Sequence, residues 1–197
     1  KKRKIIAITG GTGFIGNLLA KQHVKKGDSV RVLSRKFFPL DQSIDYFIGD
    51  LSDRTFDLHN FLVNVDVIYN CAGEVNEECL MYDVHVIGVQ RLVSAAYGVV
   101  GRWVQLSSVG AYGECGYGCI TEESGEAPKG VYEITKTKSD NIVKKSGIPY
   151  TILRPSNVFG ETMNNQSIFQ LINSVKYGFF FFPGSKKSLM NYVHVVD

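Results

Sequence analysis

The fold of this chain is decided by the stretch Ile5-Ile6-Ala7-Ile8-Thr9-Gly10-Gly11-Thr12-Gly13-Phe14-Ile15-Gly16. It opens with a short apolar run that is typical of a buried strand, and an apolar helical pattern follows it. Gly10 and Gly11 allow a tight turn between the two. Gly13 lets the backbone approach a pyrophosphate without a Cβ in the way, and Gly16 permits close packing of helix on strand. Because the free N–H groups of the helix N-terminus then face the phosphates, the stretch predicts a site for NAD or NADP.

Composition excludes several other classes of protein. The 197 residues are 44% hydrophobic, enough to bury the core of one domain or of a domain plus part of another. The formal charge of +3 is modest, and we interpret the basic run Lys1-Lys2-Arg3-Lys4 as a solvated terminus rather than a nucleic-acid patch. No apolar stretch reaches the ~18–20 residues that span a bilayer, and we expect neither a signal peptide nor a membrane anchor. We therefore expect no nucleic-acid or membrane partner.

The cysteines and histidines point away from a metal site. The four cysteines form no CxxC pair, and the four histidines are scattered without ligand spacing. Free thiols in a reducing compartment are the simpler interpretation, so we expect no bound metal and a cytoplasmic location. The cysteines are Cys71, Cys79, Cys115 and Cys119.

Apolar runs of strand length alternate with longer helix-like segments along the chain. We predict strands over residues 4–9, 29–34, 46–48, 65–70, 102–107 and 150–154. We predict helices over residues 15–26, 84–97 and 132–145, closed by Gly27, Gly98 and Gly147. Such alternation is typical of an α/β fold with a doubly wound, Rossmann-like parallel sheet, in which ligands bind at the carboxyl ends of the strands.

The ends of the predicted strands carry further signals. The second strand ends at Leu33-Ser34-Arg35, where a dinucleotide fold usually places an acid for the ribose 2′-hydroxyl. Arg35, with Lys36 beside it, can instead pair with a 2′-phosphate, which favours NADP over NAD; the alternative is two solvated charges. After the third strand, Asp50 can accept a hydrogen bond from the adenine amino group. After the fourth, the small residues of Asn70-Cys71-Ala72-Gly73 leave room for the cofactor.

The candidate chemistry lies in Ser107-Ser108 after the fifth strand and in Tyr132-x-x-x-Lys136 on the next helix. A spacing of four puts the tyrosine and the lysine on one helical face. A nearby cation stabilises phenolate, so we expect Lys136 to lower the pKa of Tyr132, which then acts as general acid or base. Ser108 would hydrogen-bond the same substrate oxygen.

Together these motifs resemble the extended branch of the short-chain dehydrogenase/reductase superfamily, the NAD-dependent epimerase/dehydratase family. Further matches are Ala111-Tyr112-Gly113, the segment Arg154-Pro155-Ser156-Asn157-Val158-Phe159-Gly160, and the closing Tyr192-Val193-His194-Val195-Val196-Asp197. The resemblance implies an oxidoreductase or epimerase that acts on a nucleotide sugar, with a possible homodimer built from packed helices. It implies Ser108, Tyr132 and Lys136 as the catalytic set, with Ser108 and Asn157 contacting substrate. The implied cofactor contacts are Gly10, Thr12, Gly13, Phe14, Ile15, Gly16, Arg35, Asp50, Leu51, Cys71, Ala72, Gly73, Tyr132, Lys136, Pro155 and Val158.

Two departures from the family pattern narrow the expected reaction. His85 stands where the family usually has asparagine in Asn-Val-x-Gly-Thr, and a structural role is the simpler interpretation. Val109-Gly110 stands where sugar C4–C6 dehydratases carry Asp-Glu, which argues against that chemistry. Epimerases and NADPH-dependent carbonyl reductases remain.

The domain organisation follows from the same resemblance. We predict an NAD(P)-binding domain over residues 1–155 and the beginning of a small C-terminal substrate-binding part over 156–197, truncated inside its Val-His-Val-x-Asp motif. Two alternatives stay open: a reductase of a steroid- or flavonoid-like carbonyl, and a non-catalytic dinucleotide-sensing module. The intact Tyr132–Lys136 pair argues against the second.

Overall fold

The computed structural model describes residues 2–37, 41–114, 118–163, 167–181 and 190–197. Its contacts divide the chain into two compact units, Lys1–Arg154 and Pro155–Asp197. The strands of the first unit are β1 (Ile5–Thr9), β2 (Ser29–Ser34), β3 (Ile44–Ile48), β4 (Val67–Asn70), β5 (Arg102–Leu106) and β6 (Tyr150–Leu153). Its helices are α1 (Phe14–Lys25), α2 (His59–Leu62), α3 (Glu78–Tyr82), α4 (Gly88–Ala96) and α5 (Val131–Lys144), with a π-helical turn at Asp83–Ile87 and a 3₁₀ turn at Val109–Tyr112.

The six strands form one parallel sheet in the order β3-β2-β1-β4-β5-β6. The chain winds outward from β1 to β3 and then returns to place β4 on the other side of β1. This doubly wound order confirms the predicted fold class. The strand order reverses between β1 and β4, and such a reversal leaves a crevice at the carboxyl ends of the strands.

Both faces of the sheet are buried, since successive side chains of a strand point to opposite faces. Ile6 and Ile8 of β1 lie in a cluster with Ala20 of α1. Ala7, between them, lies in the opposite cluster with Leu92 of α4 and other apolar side chains of α4 and α5. Strands with both faces covered explain why the sequence shows short continuous apolar runs rather than clean alternation.

Five of the predicted strands deviate from the observed bounds by one or two residues, and β2 matches. Gly27, Gly98 and Gly147 have φ of +83°, +75° and +74°, and each lies just after a helix or its cap, as expected of left-handed helix ends. The helix predicted over residues 84–97 differs, because the structure begins it at Glu78 and inserts a π-helical turn before α4. The first segment, α3, buries only Met81, so it offers little periodic signal.

The second unit holds β7 (Asn157–Phe159), which pairs in parallel with β8 (Tyr192–His194), and α6 (Ser167–Lys176). Cys115 lies outside the described residues. Of the helices in the described ranges, none is long and apolar enough to cross a membrane. The same ranges contain no cluster of three or more histidine, cysteine or acidic side chains able to hold a metal ion.

Candidate functional site

A cleft of about 580 Å³ opens at the carboxyl ends of the strands, where β1 and β4 lie side by side. β1 and β2 contribute their last residues and the loops that follow them, and β3 and β4 contribute only the loops that follow them. The lining residues are Thr9, Gly10, Thr12, Gly13, Leu33, Ser34, Arg35, Lys36, Gly49, Asp50, Leu51, Cys71, Ala72, Gly73 and Glu74, with Val84. Nine of the sixteen predicted cofactor residues are thus brought together.

The glycine turn gives the cleft its shape. Gly10 has φ of +65°, and a Cβ there would lie 2.8 Å from the backbone nitrogen of Ala72. Gly13 donates its N–H to the Gly10 carbonyl at 3.0 Å and ends the turn at the start of α1. The first turn of α1 carries no acidic side chain, so its free N–H groups offer an uncompensated positive end to a phosphate. These features fit the pyrophosphate of a dinucleotide.

Three of the predicted cofactor residues lie in the first turn of α1 rather than in the cleft lining. Phe14 and Ile15 are partly buried, and Gly16 is buried against the glycine turn. A Cβ on Gly16 would overlap the Gly10 carbonyl oxygen. Gly16 therefore acts on the shape of the turn, and contact of these three residues with a cofactor stays a prediction.

The end of β2 presents two cations and no acid. Arg35 and Lys36 are exposed and line the cleft. The hydroxyl of Ser34 donates to the Lys36 carbonyl at 2.8 Å, and this bond fixes the backbone just after β2. Glu74 also lines the cleft, and the pKa of its carboxyl lies below the usual value. Backbone amides of its own loop are the main cause, and the Arg35 charge is a smaller one.

At the ends of β3 and β4 the residues are engaged in local contacts. One carboxylate oxygen of Asp50 accepts from the N–H of Ser52 at 2.8 Å and from its hydroxyl at 2.7 Å, which leaves the second oxygen for a ligand. Cys71 is partly buried, and desolvation raises the pKa of its thiol to about 12. The thiol is therefore uncharged at neutral pH.

A buried polar ladder runs beneath the cleft from β1 to α5. Thr9 Oγ1 donates to Asn70 Oδ1 at 2.5 Å, and Asn70 Nδ2 donates to Gln105 Oε1 at 2.9 Å. Gln105 Nε2 then donates to Ser139 Oγ at 3.0 Å. Because each buried amide is paired, the ladder avoids the cost of unsatisfied polar groups while it ties the cleft to the helix behind it.

Ser108 and Tyr132 lie on the 3₁₀ turn and on α5. Ser108 Oγ accepts from the N–H of Gly110 at 3.1 Å, which fixes the oxygen while the hydroxyl hydrogen has no acceptor among the described residues. Tyr132 is partly buried, and its ring packs edge-on against His85 with 5.5 Å between the centroids. Burial, with the Glu133 charge as a smaller cause, raises the pKa of Tyr132. The prediction that Lys136 lowers this pKa is therefore wrong for this structure.

The ammonium of Lys136 is engaged at the end of β5, so it is not a cause of the Tyr132 pKa. Lys136 is only 4% exposed, and its Nζ donates to the Leu106 carbonyl at the end of β5 at 2.5 Å. Desolvation lowers the pKa of Lys136 to about 8, and the negative charge of Asp140 acts in the opposite direction. The ammonium thus lies at the end of β5 and remains mostly protonated at pH 7.

Sequence reasoning missed the acid that supports Lys136. Asp140 is fully buried, and its Oδ2 accepts from Ser107 Oγ at 2.8 Å and from Arg154 Nε and Nη2 at 3.1 and 2.9 Å. Arg154 also pairs with Glu126. The sequence does indicate that the two side chains are neighbours, because Asp140 lies four residues after Lys136 on one helical face.

The remaining predicted site residues belong to the second unit. Asn157 and Val158 lie in β7, and Pro155 is the first residue of that unit. Asn157 Nδ2 donates to the Asn191 carbonyl at 3.3 Å. Their contact with substrate or cofactor stays a prediction.

Comparison with protein families gives one match that spans almost the whole chain. The model of the NAD dependent epimerase/dehydratase family matches residues 6–197. This range includes the glycine turn, the serine pair and the Tyr132–Lys136 pair.

Individual relatives are distant. The chain is 28% identical over 216 residues to a UDP-glucose 4-epimerase of Vibrio cholerae, a match that covers 100% of this chain and 66% of the relative. It is 26% identical over 185 residues to UDP-glucuronic acid decarboxylase 1 of Xenopus tropicalis, covering 83% of this chain and 43% of the relative. The chain therefore spans two thirds or less of the length of these relatives.

A solved structure shows the same fold. UDP-glucuronic acid 4-epimerase from Bacillus cereus, in complex with UDP-glucuronic acid and NAD, superposes with a TM-score of 0.80 at 20% identity. The match covers 98% of this chain and 69% of that protein. At this level of identity the likeness concerns the fold.

Proposed function

Because the chain belongs to the NAD dependent epimerase/dehydratase family, we propose that it binds NAD or NADP in the cleft and serves an enzyme acting on a nucleotide sugar. The reaction moves a hydride between the nicotinamide and a hydroxyl- or keto-bearing carbon. The observation that carries this proposal is the adjacency of the cleft and the Tyr132–Lys136 pair. His85 connects the two, since its ring contacts Tyr132 and accepts the backbone N–H of Glu74 in the cleft lining.

Tyr132, Lys136 and Ser108 have separate roles in the proposed reaction. The bound nicotinamide supplies the hydride acceptor or donor. Tyr132, whose raised pKa keeps the phenol protonated, donates its proton to a keto oxygen as hydride reaches the carbon. The reverse step starts from the Tyr132 phenolate, which takes the proton of the substrate hydroxyl as hydride leaves. Lys136 donates to the carbonyl of Leu106, two residues before Ser108, and so helps to fix the segment that carries Ser108. Ser108 donates its hydroxyl hydrogen to the same substrate oxygen.

Support for a nucleotide-sugar substrate comes from the relatives. The two relatives named above are a UDP-glucose 4-epimerase and a UDP-glucuronic acid decarboxylase, so a UDP-sugar is the first substrate class to test. Val109-Gly110, at the start of the 3₁₀ turn, provides no acid or base next to Ser108. This absence favours epimerisation or simple reduction over dehydration.

A second candidate is an NADPH-dependent reductase, and Arg35 is the observation that favours it. The exposed Arg35 and Lys36 line the cleft where an acid would select NAD, and a guanidinium matches a 2′-phosphate with a fork of donors. Under this candidate the cofactor is NADP, and the substrate is a carbonyl compound outside the sugars.

Parallel fluorescence titrations of the purified protein with NADH and NADPH test both candidates. We expect binding of at least one cofactor, and Arg35→Ala to weaken NADPH about tenfold more than NADH. Arg54→Ala, an exposed arginine outside the cleft, controls for net charge. Turnover of UDP-glucose or UDP-glucuronic acid would support the sugar candidate. Binding of neither cofactor would refute the proposal, and an equal effect of Arg35→Ala on both would refute the NADP preference.

A further inference from the structure

His85 occupies an unusual backbone position, and the proposed function gives its side chain no step in the reaction. It sits in the π-helical turn Asp83–Ile87, between α3 and α4, and is 1% exposed. π-Helical turns inside helices recur near functional sites, where they redirect a side chain. Here the turn directs an imidazole into the space between the cleft and α5.

The hydrogen bonds of His85 fix its tautomer. The backbone N–H of Glu74 donates to Nε2 at 2.9 Å, so Nε2 carries no proton. In a neutral ring Nδ1 then carries the proton, and it lies 2.8 Å from Thr135 Oγ1, which accepts it. The Thr135 hydroxyl in turn donates to the Val131 carbonyl at 2.8 Å. Burial, with Lys136 adding to it, lowers the pKa of His85 to about 4, which agrees with the neutral ring.

These bonds join the two halves of the candidate site. Glu74 lines the cleft in the loop after β4. Thr135 lies on α5, three residues after Tyr132 and immediately before Lys136. The imidazole also packs edge-on against the Tyr132 ring at an interplanar angle of 84°. The neutral His85 side chain therefore contacts the loop after β4 at Glu74, helix α5 at Thr135, and the ring of Tyr132.

We propose that His85 is a positioning residue, which sets the placement of Tyr132 relative to the cofactor by joining the Glu74 backbone to Thr135. The inference rests on the proposed function for its link to catalysis. The hydrogen-bonded link itself does not depend on it. His85 takes no proton in the reaction, and it acts through the loop and the helix that it connects.

Substitutions of His85 separate this role from simple packing. His85→Leu keeps a side chain of similar volume but leaves the Glu74 N–H without its acceptor. His85→Gln offers an amide oxygen to the same N–H. Val89→Ala, at a buried position of α4, is the matched control, because it loosens the packing of the same region without touching the link.

The first measurement is amide hydrogen exchange of Glu74 by NMR without cofactor. We expect exchange about tenfold faster in His85→Leu, near the wild-type rate in His85→Gln, and unchanged in Val89→Ala. Loss of the hydrogen bond of a partly buried N–H costs a free energy that corresponds to a factor of this size. Unchanged exchange in His85→Leu would overturn the link, whatever the protein catalyses.

The second measurement is the dissociation constant for the cofactor, together with the single-turnover rate constant on the substrate identified for the wild type. We expect His85→Leu to weaken cofactor binding about tenfold and to slow the single turnover further, with His85→Gln restoring most of both. Wild-type values in His85→Leu, or losses in Val89→Ala as large as those in His85→Leu, would overturn positioning while leaving the proposed function intact. A wild-type protein that binds no cofactor would instead overturn the proposed function and the positioning role together.

Discussion

Burial of Lys136 makes the stability of this protein depend on pH in a way that a single substitution should remove. The pKa of Lys136 falls from its ordinary value of 10.5 to about 8 in the folded chain, chiefly through desolvation. A depressed pKa corresponds to stability that is present above the unfolded pKa and is lost as the pH falls through the folded pKa. Lys136 should therefore destabilise the fold at neutral pH.

The size of this effect follows from the shift. A fall from 10.5 to about 8 corresponds to about 3 kcal/mol of unfolding free energy at pH 7. Lys136→Met removes the charge and keeps the length of the side chain. It also leaves the Leu106 carbonyl without its 2.5 Å donor, at a cost of about 1 kcal/mol. We expect the variant to be about 2 kcal/mol more stable than the wild type near pH 7.

Urea unfolding of both proteins at pH 7.5 and pH 9.5 checks this reasoning. Between these values the linkage relation predicts that the advantage of Lys136→Met shrinks by about 2 kcal/mol, because the folded wild type loses its buried charge. Lys138→Met, at an exposed position on the same helix, is the control and should show no such change. A stability difference that is independent of pH, or a variant less stable than the wild type at both values, would refute the reasoning.

Three further substitutions probe the rest of the site. Gly13→Ala should weaken NADH binding at least tenfold by titration, because the added Cβ stands where the backbone approaches the pyrophosphate. The melting temperature should fall little, since that Cβ would lie 3.3 Å from only one backbone oxygen. Gly125→Ala, in open space, should change neither quantity. Tyr132→Phe should slow turnover at least about a hundredfold while cofactor affinity stays within about twofold, and retained turnover would show that another group moves the proton. Asp140→Asn should lower the unfolding free energy in urea by about 3 kcal/mol, since Arg154 and Lys136 lose their buried counter-charge; a loss below about 1 kcal/mol would show that water or Glu126 compensates.

The fold and most of the cleft could be predicted from the sequence because their signals are local. A strand followed by Gly10, Gly13 and a helix fixes a turn through backbone sterics alone, whatever surrounds it. The other strand ends were found because apolar runs of four to six residues are followed by small or polar residues. Parallel order then brings those ends to one edge of the sheet.

Contacts between distant segments could not be predicted in the same way. His85 reads as an isolated histidine, and its partners are the backbone of Glu74 and the hydroxyl of Thr135, fifty residues further along the chain. Neither a backbone N–H nor a threonine hydroxyl leaves a sequence signal of its role. The pKa of Tyr132 was misjudged for a related reason, because helical spacing places Lys136 on the same face but does not say where its ammonium points.

The buried polar groups of α5 show where function and stability compete. Lys136 and Asp140 both lie inside the fold, and desolvation opposes the charged form of each. Apolar side chains at these positions would serve packing better, as the expected gain from Lys136→Met indicates. The Lys136 charge is kept despite this cost, and its ammonium donates to the Leu106 carbonyl. The simplest explanation is a role that an apolar side chain cannot fill. Holding the Leu106 carbonyl at the end of β5, two residues before Ser108, is such a role, because it needs a hydrogen-bond donor.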